Sequence, residues 1–548
     1  MTRYDKLTPD GTSDRLFEAC AAEKEVVSKL SAVFERAGYR QVRTPGLEFL
    51  SVFASNAEYF PQEEMYKLSD NKGRLIAVRP DSTIPIARMT ATKLRGAALP
   101  IRLYYAQSVF RRQPEHRGRN SEIMQMGVEL IGEAGFSSDV DMIELAIRSL
   151  AEGCAGRFRI EIGHVGLYKA LMDRLGASEE ERDRIHRYVT AKNYAALDDV
   201  LDGVSDRETA ALIRRLPGLF GGGEALDEAA AMFDGAGAEL SSMLAYLKQV
   251  FDELARRGFA EKVMIDLGLV NQAEYYSSLV FKGYGESAGE PLLSGGRYDG
   301  LFADFGEDLP ATGFGINVDL LTEAVQGESL ASSAASARPL RIALTKGRLE
   351  EDFMALMAAA GYDMAPLRDK GRKLLIGIPG TGIEIFLAKA PDVITYVEQG
   401  VCEIGVVGKD TILEQGGTYY EIMDLSIGKC RFALAAPRDG AVAAGAAPAA
   451  VASKYPNYAG RYFERRGLDV RIIRIEGSVE IAPLLGLADS IVDIVETGTT
   501  LKENGLDVVE VIREISARLI INVTGMKLRK REIDELTGKL AGVLPGNE

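Results

Sequence analysis

Residues 326–346 read QGESLASSAASARPLRIALTK. The stretch 326–339 is dominated by Ala and Ser, carries no aromatic residue, and has a proline as its last residue. It buries too little apolar surface to offset the entropy of ordering it, so it is expected to be a linker. At Leu340 the texture changes to an apolar run with a basic end, the pattern of a buried strand.

Beyond that seam, apolar strands alternate with helices: LRIALTK, EEDFMALMAAAG, KLLIGIP, CEIGVVGKD, RFALAAP, DVRIIRIEG, SIVDIVETG and RLIIN, then a charged terminal helix. This grammar predicts an α/β domain over 340–548, its sheet covered on both faces. The Ala/Gly/Pro-rich DGAVAAGAAPAA, 439–450, is expected to be a loop between two lobes. Before the seam, a helix over about 13–37 precedes strands at GRLIAVRP, PIRLYYAQSVFR and SEIMQMGVELIG. They lie too close together for crossover helices, so an antiparallel sheet is expected in an α+β domain over 1–325. Residues of about 165–262 read as a helical insertion, after which strands return at KVMIDLGLV and EYYSSLVFKGY.

The 548 residues exceed a single hydrophobic core. With 65 basic and 80 acidic residues the net charge is −15, which disfavours nonspecific binding to nucleic acid. Cys20, Cys154, Cys402 and Cys430 are far apart and the chain has only 3 histidines, so no Cys/His metal site is expected. No apolar run approaches the ~18 residues of a membrane span, and no signal peptide is apparent. A cytoplasmic protein with reduced thiols is expected.

Two constellations carry chemistry. In the first, VRPDSTIPIAR (78–88) places Asp81 and Thr83 at a strand end, and Arg111 ends a strand whose successor carries Gln125 and Glu129. Four apart on a strand, these two share a face and invite a partner bearing an amine. In the second, DIVETGTTLKENG (493–505), a strand runs into a Thr-Gly-Thr-Thr turn and a helix. Backbone N–H groups and hydroxyls of Thr497, Gly498, Thr499 and Thr500 suit a phosphate, while Asp493 and Glu496 suit a sugar diol. A helix cap at the same threonines is compatible with that reading.

The first constellation resembles the class II histidyl-tRNA synthetase body over about residues 8–322. GYRQVRTPGLEF (38–49), VFRRQPEHRGR (109–119) and GFGINVDLL (313–321) stand where that family has its three motifs. The resemblance implies a histidine pocket of Asp81, Thr83, Arg111, Gln125, Glu129 and Tyr276, with the ammonium at Glu129 and Gln125 and the carboxylate at Arg111. Three departures argue against aminoacylation: Gln113 replaces the second motif's glutamate, Asn271 the signature arginine, and Leu320 the third motif's arginine. The anticodon-binding domain is missing as well. What remains resembles the regulatory subunit of ATP phosphoribosyltransferase.

Downstream, ALTKGRL (343–349), GRKLLI (371–376), SIGKCRFALAAP (426–437), ASKYPN (452–457) and the ETGTT segment follow in the order of the short-form ATP phosphoribosyltransferase catalytic subunit. This second resemblance implies two lobes of the periplasmic-binding-protein type and the joining of ATP to phosphoribosyl pyrophosphate. Lys346, Gly347, Arg348, Arg372, Lys409 and Asp410 are then expected at the pyrophosphate or ATP, with Lys346, Arg348 and Asp493 in the chemistry. Mg²⁺ is expected to be held mainly by substrate phosphates, histidine to act as inhibitor, and the fused chain to form a homo-oligomer. The rival readings are an active synthetase with an appended domain and a non-enzymatic ligand-binding protein.

Overall fold

Val26, Leu30, Val33 and Phe34 recur at helical spacing and are buried along one side of α1 (Phe17–Arg36). The structure, a computed structural model, describes the chain except residues 1–5, 55–63, 114–118, 154–156, 191–196, 198–199, 234, 236, 270–274, 286–287, 332–337 and 545–548. It comprises two units, Met1–Ser336 and Ala337–Glu548.

In the first unit α2 (Thr83–Lys93) precedes two long strands, β1 (Ile101–Phe110) and β2 (Glu122–Ile131), followed by α3 (Phe136–Gly153) and β3 (Phe158–His164). After the insertion come β4 (Leu279–Gly285), β5 (Leu293–Arg297), β6 (Ala311–Asn317) and α4 (Val318–Ala331). The strands lie in the order β1-β2-β6-β5-β4-β3, every neighbour antiparallel, at the centre of a nine-stranded sheet. Alternation sorts the two faces. Tyr104, Met126, Val128 and Leu130 pack with α1 and α3, whereas Leu103 and Tyr105 pack with α2 and Tyr298.

Two expectations need correcting here. Leu75–Val78 is not in the main sheet but in a separate three-stranded one with Leu47–Phe49 and Lys67–Ser69. The expected linker is also partly helical. Helix α4 starts on buried Val318, Leu321 and Ala324 and continues to Ala331. Gln, Glu, Leu and Ala propagate a helix that tertiary packing has already nucleated.

The second unit holds two sheets. The first is built from β7 (Leu340–Thr345), β8 (Leu375–Gly377), β9 (Ile383–Ala388), β10 (Ile404–Gly408) and β11 (Tyr420–Asp424), with α5 (Arg348–Ala359), α6 (Ala390–Glu398) and α7 (Lys409–Gln415) between them. The second contains β12 (Cys430–Pro437), β13 (Ala450–Ser453), β14 (Arg471–Arg474), β15 (Ser490–Val495) and β16 (Leu506–Ile515), with α8 (Pro456–Glu464) and α9 (Thr499–Glu503). The chain then returns, and β17 (Ala517–Ile521) completes the first sheet, ordered β8-β9-β7-β10-β17-β11. The second is ordered β14-β13-β15-β12-β16. Residues 439–450 lead from β12 to β13 inside one sheet, so they do not join two lobes. The crossings fall between Asp424 and Cys430 and at Ser516. Both are short, because β11 and β16 end where the next sheet begins.

Candidate functional site

In the first unit the expected residues gather around Glu129, 2% exposed near the C-terminal end of β2. Its register partner on β6 is Gly313, where a Cβ would lie 2.2 Å from Glu129 Oε2, so only glycine leaves the carboxylate its place. Thr83 Oγ1, at the start of α2, donates to Glu129 Oε1 at 2.8 Å, and the Tyr298 hydroxyl donates to Oε2. Burial raises the Glu129 carboxyl to about 8; the two hydrogen bonds oppose that shift without cancelling it.

Asp81 is buried beside it and accepts from the Ile84 N–H at 3.0 Å. Burial again raises its pKa, with Arg111 pulling the other way. Arg111 Nε donates to the Pro80 carbonyl at 2.8 Å, leaving Nη2 3.8 Å from Asp81 Oδ2. Tyr275, Tyr276 and Tyr298 form an aromatic wall, with centroids 4.6 Å apart for the first two and 5.7 Å for Tyr275 and Tyr298. Gln125 Oε1 is buried without a hydrogen-bond partner in this structure. All six expected residues thus come from β2, the strand ends around it and the tyrosine wall. Tyr298, which no spacing argument singled out, is added by the fold. Arg79 is structural, donating to the carbonyls of Thr44, Pro45 and Ser108.

In the second unit, side chains that follow strand ends of one sheet meet side chains from the other. Gly347, at φ +95°, turns the chain from β7 into α5 and sets Arg348 at the first turn. Arg348 Nη1 forms an ion pair with Glu496 Oε2, which follows β15 in the other sheet. Thr497 and Thr499 hydroxyls lie 3.1 Å apart around Gly498, whose φ of +78° aims the turn into α9. Asp493 accepts from the Ile494 N–H at 2.8 Å, and its pKa is raised to about 6, mainly by burial, with Glu480 and Asp410 adding to it. Lys346 is exposed after β7, and Arg372 lies on an exposed turn ahead of β8.

Lys409 is where expectation fails. It is 1% exposed, with Nζ 2.6 Å from both Glu421 oxygens. The pair ties α7 to β11 inside the first sheet's core, so Lys409 is not available to a substrate phosphate. Asp410, the next residue, points elsewhere, because consecutive helical positions diverge by about 100°. Its Oδ2 accepts from the Tyr455 hydroxyl at 2.8 Å.

Comparison with known proteins now bears on both units. The histidyl-tRNA synthetase family profile matches residues 11–321, and the ATP phosphoribosyltransferase profile residues 389–542. An ATP phosphoribosyltransferase regulatory subunit of Clostridium kluyveri is 37% identical over 329 residues, which is 60% of this chain and 84% of that protein. One from Bacillus thuringiensis is 38% identical over 329 residues, covering 60% of this chain and 77% of the relative. The chain belongs to the ATP phosphoribosyltransferase regulatory-subunit family. A crystal structure of an ATP phosphoribosyltransferase regulatory subunit/histidyl-tRNA synthetase from Bacillus halodurans matches with a TM-score of 0.55 at 30% identity, covering 70% of this chain and 94% of that one.

Behind the regulatory unit the same chain carries the ATP phosphoribosyltransferase domain, so regulator and pentosyltransferase of histidine biosynthesis are fused. ATP and phosphoribosyl pyrophosphate are the substrates of that reaction. In the regulatory unit, Leu320 packs against the core from the first turn of α4 instead of presenting a cation. Asn271 lies outside the described residues. In the transferase unit, Tyr455 and Cys430 lie beside the expected site residue Asp410 although no motif argument assigned them a role. Burial raises the Cys430 thiol to about 11, with Asp410 and Glu496 adding to the shift and Arg348 opposing it.

Proposed function

We propose that free histidine binds the regulatory unit and inhibits the transferase unit of the same chain. The observation that carries this is the cluster of charged and polar side chains around Glu129. Arg111 and Asp81, 3.8 Å apart, present a cation and an anion side by side, as the two charges on one α-carbon require. Glu129 lies deeper, among Thr83, Tyr298 and the tyrosine wall, and meets the imidazole. This assignment moves the ammonium from Glu129, where strand spacing alone put it, to Asp81. Gln125 Oε1 supplies an acceptor for a further ligand N–H.

In the transferase unit, Thr497, Gly498, Thr499 and Thr500 hold the 5′-phosphate, and Asp493 and Glu496 the ribose hydroxyls. Lys346, Gly347 and Arg348, with Arg372 more distant, take the pyrophosphate and ATP phosphates. The two sheets are inferred to be lobes of the periplasmic-binding-protein type that close over the substrates. Asp493 is a hard oxygen donor and fits a Mg²⁺ held mainly by substrate oxygens and reached through water. The bound ion would neutralise the leaving pyrophosphate. Alignment and charge neutralisation by this cleft are enough for a displacement at C1, because adenine N1 already carries a lone pair.

By this reading residues 1–325 are regulatory and 340–548 catalytic, and the chain works as a cytoplasmic homo-oligomer. The relatives are named as subunits, and the tether keeps the two parts at high effective concentration. Initial rates of phosphoribosyl-ATP formation with and without histidine test the proposal. Rates unchanged at millimolar histidine would remove the inhibitory role while leaving the transferase assignment intact.

A further inference from the structure

The Asp410 carboxylate is held from both sheets. On its own side it lies over the bare α-carbon of Gly408, where a Cβ would come within 2.1 Å of Oδ1. From the other sheet the Tyr455 hydroxyl donates to Oδ2 at 2.8 Å. That tyrosine is itself fixed. Its ring stands edge-on to Phe432 at 5.0 Å, and its N–H donates to Ser453 Oγ at 2.9 Å. Ser453 Oγ in turn donates to the Val492 carbonyl at 2.6 Å, one residue before Asp493. On the other side, the Lys409–Glu421 pair locks the start of α7. Asp410 therefore has little freedom, and it lies near enough to Asp493 and Cys430 for its charge to raise the pKa of both.

We propose that Asp410 accepts a hydrogen bond from the exocyclic amine of the ATP adenine, and that Tyr455 is its positioning residue. The proposal rests on the placing of ATP in this cleft. During the reaction the N1 lone pair forms the bond to C1, while the C1–O bond breaks and its electrons leave with pyrophosphate. Positive charge appears on the adenine ring and is shared between N1 and the exocyclic nitrogen, as in an amidinium, and no proton need depart. The exocyclic N–H becomes a stronger donor as that charge develops. A carboxylate fixed opposite it is bound more tightly in the transition state than in the ground state, which is the condition for acceleration. The same contact selects adenine, because a 6-oxo purine would set a carbonyl oxygen against the carboxylate.

The test compares ATP with purine riboside triphosphate, which keeps N1 but lacks the amine, in the full chain and in Asp410→Asn and Tyr455→Phe. Tyr455→Phe keeps the ring on Phe432, and unchanged thermal midpoints and phosphoribosyl pyrophosphate affinity verify the fold of each variant. With ATP, kcat/KM should fall roughly 10- to 100-fold in Asp410→Asn and about 10-fold in Tyr455→Phe. With the analogue, both variants should stay within about threefold of the parent, whether read in turnover or, if turnover is slow, in its inhibition constant. Equal losses with both nucleotides would overturn the proposal and leave Asp410–Tyr455 as a tie between the two sheets. Unchanged turnover of ATP in Asp410→Asn would instead overturn the placing of ATP in this cleft.

Discussion

Arg348, which follows β7, and Glu496, which follows β15 of the other sheet, form an ion pair within the transferase unit. Both side chains are about half exposed, 49% and 57%, so water screens the pair and it contributes only ~0–1 kcal/mol to stability. Its significance lies in its members, since two groups proposed to bind substrate are paired with each other and must part to hold it. Glu496→Gln should therefore leave the thermal midpoint within about 2 °C, while raising the KM for phosphoribosyl pyrophosphate roughly tenfold. A large drop in midpoint with an unchanged KM would make the pair structural.

Thr499→Ala probes the phosphate turn. A hydrogen bond to a charged group is worth about 1.5–3 kcal/mol, so the KM for phosphoribosyl pyrophosphate should rise about tenfold or more, with the KM for ATP little changed. Steady-state kinetics with each substrate varied in turn provides the measurement. Equal KM values in variant and parent would reduce the turn to a helix start.

Lys409→Met should act on stability instead of on binding. It leaves Glu421 buried without its main partner, a loss of about 3–5 kcal/mol. The double variant Lys409→Met/Glu421→Met should recover most of this, because it removes both buried charges. Urea unfolding of the transferase unit, followed by hydrogen exchange at β10 and β17 amides, would detect either outcome.

Glu129→Gln should weaken histidine inhibition at least tenfold and leave the histidine-free rate within several-fold of the parent. Full sensitivity in the variant would relocate the inhibitor site. Because linkage is reciprocal, saturating phosphoribosyl pyrophosphate should also weaken histidine binding in the parent, which calorimetric titration can measure.

The raised pKa of Glu129 also sets a pH dependence. With a folded value of about 8 against an ordinary 4.5, the folded state holds a proton that the unfolded state has released. Stability of the ligand-free regulatory unit should therefore fall as pH rises from about 4.5 to about 8, and this contribution should level off above that range. Glu129→Gln should lack this component. Hydrogen exchange at β2 amides, at pH 5.5 and pH 8 in parent and variant, would show the difference in slope.

The domain order was legible in the sequence, and so were the stretches around which the two proposed sites are built. They rest on local signals, namely the change of texture at 326–346, the strand spacing of Gln125 and Glu129, and the Gly-centred turn at Thr497–Thr500. Each is set by backbone geometry over a few residues. Less legible were boundaries and side-chain directions. Helix α4 overran the expected linker to Ala331 because packing of its first turns nucleated it. Lys409 and Asp410 looked alike as cleft residues, and only the position of β11 decided that one is buried on Glu421 and the other faces Tyr455.

By itself, then, the sequence determined which residue types stand at which strand ends, because those follow from periodicity and turn chemistry. The tertiary structure alone decided which of them meet. Asp81 beside Arg111, Tyr298 on Glu129, Arg348 on Glu496 and Tyr455 on Asp410 each join residues 30 or more positions apart. Such contacts depend on sheet order, and sheet order is chosen by burial summed over the whole core.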